Sequence, residues 1–126
     1  MKTRKPRPTE HEEQSKLFQW AKLQEKRYPE LALMFAIPNQ RKWSWAVWEY
    51  FKAEGFKPGV ADVFLPAARG ISHGLFIEMK RDDKEKMNQD QEKFAIGVMR
   101  VNYTHEVGYG FEDARDKILA YLNGGE

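Results

Sequence analysis

Apolar and polar positions along this chain alternate between two periods, and the switches mark out eight elements. Thr9-Glu10-His11-Glu12 has the spacing of a capping box, with Thr9 as N-cap and Glu12 three positions on. The helix it opens runs to about Arg27 and ends before Pro29. Residues 31–37 form an apolar run closed by Pro38-Asn39 and predict a strand. Residues 41–54 predict a second helix, stopped by Gly55. After the turn Phe56-Lys57-Pro58-Gly59, two short apolar runs at 60–65 and 75–79 predict strands, with the two glycines of 66–74 between them. A charged loop at 81–86 leads to a helix at 89–100, a strand at 102–109 and a terminal helix at 111–122. The order α, β, α, β, β, α, β, α predicts an α/β fold, a mixed central sheet flanked by helices.

Three charged residues interrupt the strand pair, and their spacing matters. Glu78 and Lys80 are two apart, so both project to one face while Ile77 and Met79 project to the other. If the hairpin folds near Gly70 or Ile71, Asp62 lies opposite Glu78 or Lys80, and cross-strand partners share a face. A slip of one residue would send Asp62 to the wrong side. In the intended register the hairpin presents two carboxylates and one amine together. That set suits metal-assisted phosphodiester hydrolysis, in which carboxylates hold a divalent cation and an ammonium sits beside the attacking water.

Composition narrows the options. At 126 residues, 41% hydrophobic and 13% aromatic, the chain is expected to fold as a single domain over residues 9–126. With no cysteine there is no disulfide, thiolate zinc site or Cys nucleophile, which fits a cytoplasmic protein. No run of 18 apolar residues spans a membrane, and no apolar segment follows the basic start as in a secretory signal. His11, His73 and His105 have no zinc spacing. A metal here would be held by oxygen, which points to Mg²⁺ or Mn²⁺. The net charge of +2 is unevenly spread: residues 1–8 hold Lys2, Arg4, Lys5 and Arg7 with no acid. This basic arm on a mildly acidic body suits a polyanionic partner.

Further residues are candidates for the same site. On a helix Glu10 falls about 20° from the line of Leu17 and of Ala21, Glu13 about 60° off, and Glu12 on the opposite side. Glu10 is thus aligned with the apolar stripe, although Glu13 stays open as an alternative. Gln91 heads a helix face continued by Phe94, Ala95 and Val98 and could hydrogen-bond a water or phosphate oxygen. Trp45 and Trp48 share one helical face, and Trp43 aligns with Val47 and Tyr50. One of these faces is expected in the core. The other, flanked by Arg41, Lys42, Lys52 and Lys57, could stack on bases or form a dimer seam.

Taken in order, these residues resemble the VRR-NUC family of virus-type replication-repair nucleases within the PD-(D/E)xK superfamily, from Thr9 to Leu122. Glu10 and Gln14 are similar to the family's helical Glu and Gln, Pro38-Asn39 to its Pro-Asn, and Gly59 to Asp62 to its Gly-x-Pro-Asp. Glu78 to Lys80 is similar to its Glu-x-Lys, and Gln91 to its later Gln. The resemblance implies a restriction-endonuclease-like core and a Mg²⁺- or Mn²⁺-dependent DNA endonuclease. Asp62, Glu78, the Met79 carbonyl and Glu10 would hold the metal, Lys80 would act on the water, and Gln91 would support them. It further implies flap or branched DNA as substrate and a possible homodimer. An exonuclease or restriction-like enzyme of the same superfamily, a non-cleaving DNA-binding module and a metal-independent interaction protein are the other readings. Two departures stand out: Ala61 replaces the family's Pro, and Asn102 replaces a helix-ending Gly. Asn tolerates a left-handed cap, so the helix can still stop there.

Overall fold

The computed structural model describes residues 6–38 and 43–124. Lys2, Arg4, Lys5, Asn39, Arg41 and Lys42 lie outside the described residues. The elements are α1 (Glu10–Leu23), a 3-10 segment (Pro29–Leu33), β1 (Phe35–Ala36), α2 (Trp45–Lys52), β2 (Val63–Leu65), β3 (Leu75–Lys80), α3 (Gln89–Arg100), β4 (Thr104–Tyr109) and α4 (Phe111–Leu122). The four strands form one mixed sheet in the order β1-β2-β3-β4, with β1, β2 and β3 antiparallel and β3, β4 parallel. The α/β class and the helix-flanked mixed sheet are therefore as expected.

The β2-β3 hairpin turns where the glycine spacing places it. An isolated bridge joins Arg69 to Ser72 around Gly70, whose φ is +57°, and Val63 pairs with Ile77. One face of the hairpin is wholly apolar: Val63, Leu65, Leu75, Ile77 and Met79 are all fully buried. Leu17 and Ala21 of α1, with Ala114, Ile118, Tyr121 and Leu122 of α4, complete that core. Gly108 lets α4 approach, since a Cβ there would lie 2.6 Å from the Ala114 Cβ. α3 covers the other face, where Phe94 packs edge-on against Phe76 at 5.1 Å. The crossover through α3 is what permits β4 to run parallel to β3. β4 is an edge strand, and α4 blocks its free side: Lys117 Nζ donates to the Val107 carbonyl at 2.5 Å and Tyr109 N–H to Asp113 Oδ2 at 2.9 Å.

Several boundaries differ from the sequence reading, each for a local reason. The run at 31–37 splits because Pro29 starts a 3-10 turn that buries Leu31, which leaves two residues for β1. α1 ends at Leu23, and Thr9 caps it by accepting from Glu12 N–H at 3.1 Å. Glu12 accepts from the Thr9 hydroxyl rather than the Thr9 backbone, so the box is half formed. α2 starts only after Ser44, whose hydroxyl accepts from Val47 N–H. None of its residues is buried, contrary to the expected core face. Trp43 precedes the helix and packs with Trp48, Phe51 and Phe56 in a separate aromatic cluster. Asn102 does take the left-handed cap, with φ +68°. Tyr103 N–H bonds the Val98 carbonyl and Asn102 N–H the Met99 carbonyl, the paired bonds of a Schellman motif.

Candidate metal centre

The strand ladder breaks where the chemistry begins. Gly110 N–H donates to the Lys80 carbonyl, so the even residues of β3 turn their backbone groups towards β4 and the odd ones towards β2. After the Val63–Ile77 rung, the next would join Ala61 to Met79. Instead Met79 N–H donates to Asp62 Oδ2 at 2.7 Å. This is why β2 begins at Val63 rather than residue 60, and why the Met79 carbonyl lies on the Asp62 edge of β3. Asp62 is pinned from the other side too, because its carbonyl accepts from Ile37 N–H of the β1 end at 2.7 Å.

Register and pleat place the remaining groups. Asp62 follows Phe64 and Glu78 follows Phe76 on one face of the hairpin, away from the aliphatic core. Asp62, Glu78 and Lys80 are 2%, 1% and 7% exposed, so the cluster is buried although it is charged. The first turn of α1 adds Glu10, and one carboxylate oxygen from each of Glu10, Asp62 and Glu78 lies within 4.8 Å of the others. Two oxygens on opposite sides of a Mg²⁺ ion stand about 4.2 Å apart, and slightly more for larger cations. At that spacing the trio can close on a hard divalent cation with movements of up to about 0.7 Å each. Two buried carboxylates and the half-buried Glu10, with a single amine beside them, also suit a cation on charge.

Gln91 joins the carboxylate to the amine. Its Nε2 donates to Glu78 Oε2 at 3.0 Å, and its Oε1 accepts from Lys80 Nζ at 3.1 Å. Lys80 Nζ and Glu78 Oε2 stand 3.8 Å apart beneath that bridge. Gln91 is held in turn by a capping box at the start of α3: Asn88 Oδ1 accepts from Gln91 N–H and Gln91 Oε1 accepts from Asn88 N–H. The sequence reading did not single out Asn88, yet Asn-x-x-Gln is the signature that finds it. Gly59 seats the incoming chain against α3. Its φ is +85°, and a Cβ there would fall 2.3 Å from the Asp90 carbonyl oxygen.

Glu10 and Glu13 have separate positions. Glu13 Oε1 accepts from Phe111 N–H at 2.9 Å, capping α4 where Gly110 offers no side chain. A Cβ on Gly110 would lie 3.1 Å from that oxygen. Beyond the centre, Arg7 grips Asp82 with two bonds of 2.8 Å and tethers residues before α1 to the loop after Lys80. The Arg7 hydrogen bond holds the Asp82 carboxyl down at about 2. His105, on the same sheet face, stands edge-on to Phe94 at 6.1 Å, and burial pushes its pKa down from the usual imidazole range.

A solved structure described as a VRR_NUC domain protein is similar to this chain. The likeness covers 94% of this chain and 91% of that one, with a TM-score of 0.80 and 27% sequence identity. No family model and no curated protein matches the chain.

Proposed function

From the VRR-NUC resemblance, which holds in motif order and in fold, we propose that this chain is a divalent-metal-dependent DNA endonuclease acting on flap or branched structures. The observation that carries the reading is the meeting of Asp62, Glu78 and Lys80 on one sheet face with Glu10 and Gln91 against them. Glu10, Asp62, Glu78 and the Met79 carbonyl would hold Mg²⁺ or Mn²⁺, with Glu10 acting directly or through a water. When bound, the cation supplies Lewis acidity towards a phosphodiester oxygen and lowers the pKa of water.

The protein's own groups do the rest. Lys80 directs an N–H towards the attacking water or the phosphate oxygen on which charge develops, while Gln91 Oε1 fixes its direction. Gln91 also holds Glu78 Oε2 and so fixes the orientation of that carboxylate. Asp62 is oriented in turn by Met79 N–H, which donates to its Oδ2. Lys2, Arg4 and Lys5 would contact phosphates, as would be expected for a DNA partner.

The test is cleavage of labelled linear, flap and four-way-junction DNA with Mg²⁺, Mn²⁺ or EDTA, comparing wild type with Asp62→Asn and Lys80→Met. Asp62→Asn keeps an oxygen for Met79 N–H, so a loss of cutting would not be a loss of fold. Metal-dependent cutting abolished by both variants supports the proposal, and internal nicking of a closed circle separates endonuclease from exonuclease. Cutting that survives both variants, or proceeds in EDTA, refutes it.

A further inference from the structure

The carboxylates of the metal centre are not held equally firmly. Asp62 leads into β2 and Glu78 lies within β3, both fixed by the sheet, whereas Glu10 is the first residue of α1. The buried residues that anchor α1 are Glu13, Leu17 and Ala21, all later than Glu10. The bonds between Thr9 and Glu12 close the first turn on itself and reach no other element. Without a cation, the negative charges of Asp62 and Glu78 oppose a third carboxylate oxygen within 4.8 Å of theirs. Helix ends open more readily than strands in a core, so Glu10 is the member of the trio that would swing away.

A clip spans that weak point. Arg7 Nε and Nη2 donate to the two oxygens of Asp82, each at 2.8 Å, and Glu85 lies 3.8 Å from the same guanidinium. Both ends of the clip are stiffened. Pro6 and Pro8 flank Arg7, and each ring fixes its own φ and disfavours a helical conformation in the residue before it. Thr9 continues in extended backbone, φ −89° and ψ 159°, straight into Glu10. On the other side, Asp82 Oδ1 also accepts from Lys84 N–H at 3.0 Å, and Glu85 pairs with Arg81. The chain thereby closes a circuit from Glu10 back to Arg7, across to Asp82, and back along β3 to Lys80 and Glu78. We propose that Arg7 and Asp82 are positioning residues of the metal centre, whose ion pair holds the first turn of α1 beside the end of β3 and keeps Glu10 among the ligands of the cation. An exposed pair adds little to global stability. Keeping one helical turn in place asks little of it, and a turn ordered beforehand does not oppose cation binding. The inference rests on the proposed metal-dependent nuclease reading.

The experiment measures Mn²⁺ affinity without DNA, by titration calorimetry, for wild type, Arg7→Ala, Arg7→Lys, Asp82→Asn, the double variant Arg7→Ala with Asp82→Asn, and Arg7→Ala combined with Glu10→Ala. Melts in EDTA and DNA cleavage are followed on the same samples. Asp82→Asn keeps an oxygen for Lys84 N–H, and the pair is exposed, so each clip variant should melt in EDTA like wild type. Arg7→Ala and Asp82→Asn should each bind Mn²⁺ about three- to tenfold more weakly, the upper range for an exposed but bidentate pair. Arg7→Lys keeps the charge without the fork and should fall between. The double variant should lose no more than either single one, because the two residues act as one pair. Once Glu10 is alanine, Arg7→Ala should change nothing further. Unchanged Mn²⁺ affinity in Arg7→Ala and Asp82→Asn overturns the inference. So do losses that add in the double variant, or a loss from Arg7→Ala that persists beside Glu10→Ala. A wild type that binds no Mn²⁺ overturns it together with the nuclease reading. Otherwise the two fail separately: Mn²⁺ held through the clip without cleavage of any DNA refutes only the nuclease, whereas Mn²⁺-dependent cleavage with unchanged affinity in Arg7→Ala refutes only the clip.

Discussion

Replacing Glu10 and Glu13 by alanine, one at a time, should have opposite effects on folding and on metal response. Glu13 Oε1 caps α4 through Phe111 N–H at 2.9 Å, and Gly110 provides no substitute. A hydrogen bond to a charged group contributes about 1.5–3 kcal/mol, and the helix-end charge is part of that sum. The Lys16 partner is over half exposed and adds about 0.5 kcal/mol or less. Glu13→Ala should therefore cost about 2–3 kcal/mol, or about 8–12 °C in Tm for a chain of this size. Glu13→Gln keeps the acceptor and should lose about half as much. Glu10→Ala instead removes one of three clustered carboxylates, so without metal its Tm should equal or exceed that of wild type. Wild type should gain about 2.7 kcal/mol when Mg²⁺ or Mn²⁺ is present at a hundred times its Kd, and Glu10→Ala should lose most of that gain. Calorimetric melts in EDTA and in Mn²⁺, beside a cleavage assay, read all of this. If Glu13→Ala melts like wild type but does not cut, while Glu10→Ala cuts normally, the assignment of the two carboxylates is wrong.

Other positions give independent checks. Gln91→Ala removes the bridge between Glu78 and Lys80 as well as half of the α3 capping box. It should lower kcat about 10–100-fold, as lost supporting contacts around metal centres do, and an unchanged kcat would remove Gln91 from the mechanism. Gly59→Ala meets both a φ of +85° and the Asp90 carbonyl, so denaturant melts should show a loss of at least about 2 kcal/mol, and a neutral result would mean that α3 yields freely. His105 is held neutral by burial, and among the described residues no group hydrogen-bonds its Nε2. The unfolded chain then binds more protons just below pH 6.5, so the contribution is fully present above 6.5 and is lost as pH falls through and below that value. His105→Phe should flatten that part of the Tm–pH curve, and an unaltered slope would place its origin elsewhere.

Where the sequence was legible, one local rule acted alone. Period two puts Ile77 and Met79 on the core side and Glu78 and Lys80 on the other, and the fully buried aliphatic face enforces that register. Gly70 at the hairpin tip and Asn102 at the α3 cap each state a backbone conformation that few other residues adopt readily. Legibility failed where a side chain replaced a backbone partner. Apolar Val60 and Ala61 look like strand, but Asp62 takes the Met79 N–H that their rung would have used. The carboxylate that ends the ladder is one of the clustered trio, so the error in the strand boundary and the geometry of the cluster have the same cause. Glu13 was ambiguous for a related reason. Helical angles set it about 60° from the stripe, but its partner is a backbone N–H nearly a hundred residues away, which no local pattern encodes. The aromatic helix misled differently, because its rings satisfy a periodicity without a sheet to bury them. Amphipathic spacing reports that a face needs a partner. It does not say where that partner lies, and among the described residues Trp45 and Tyr50 stay exposed.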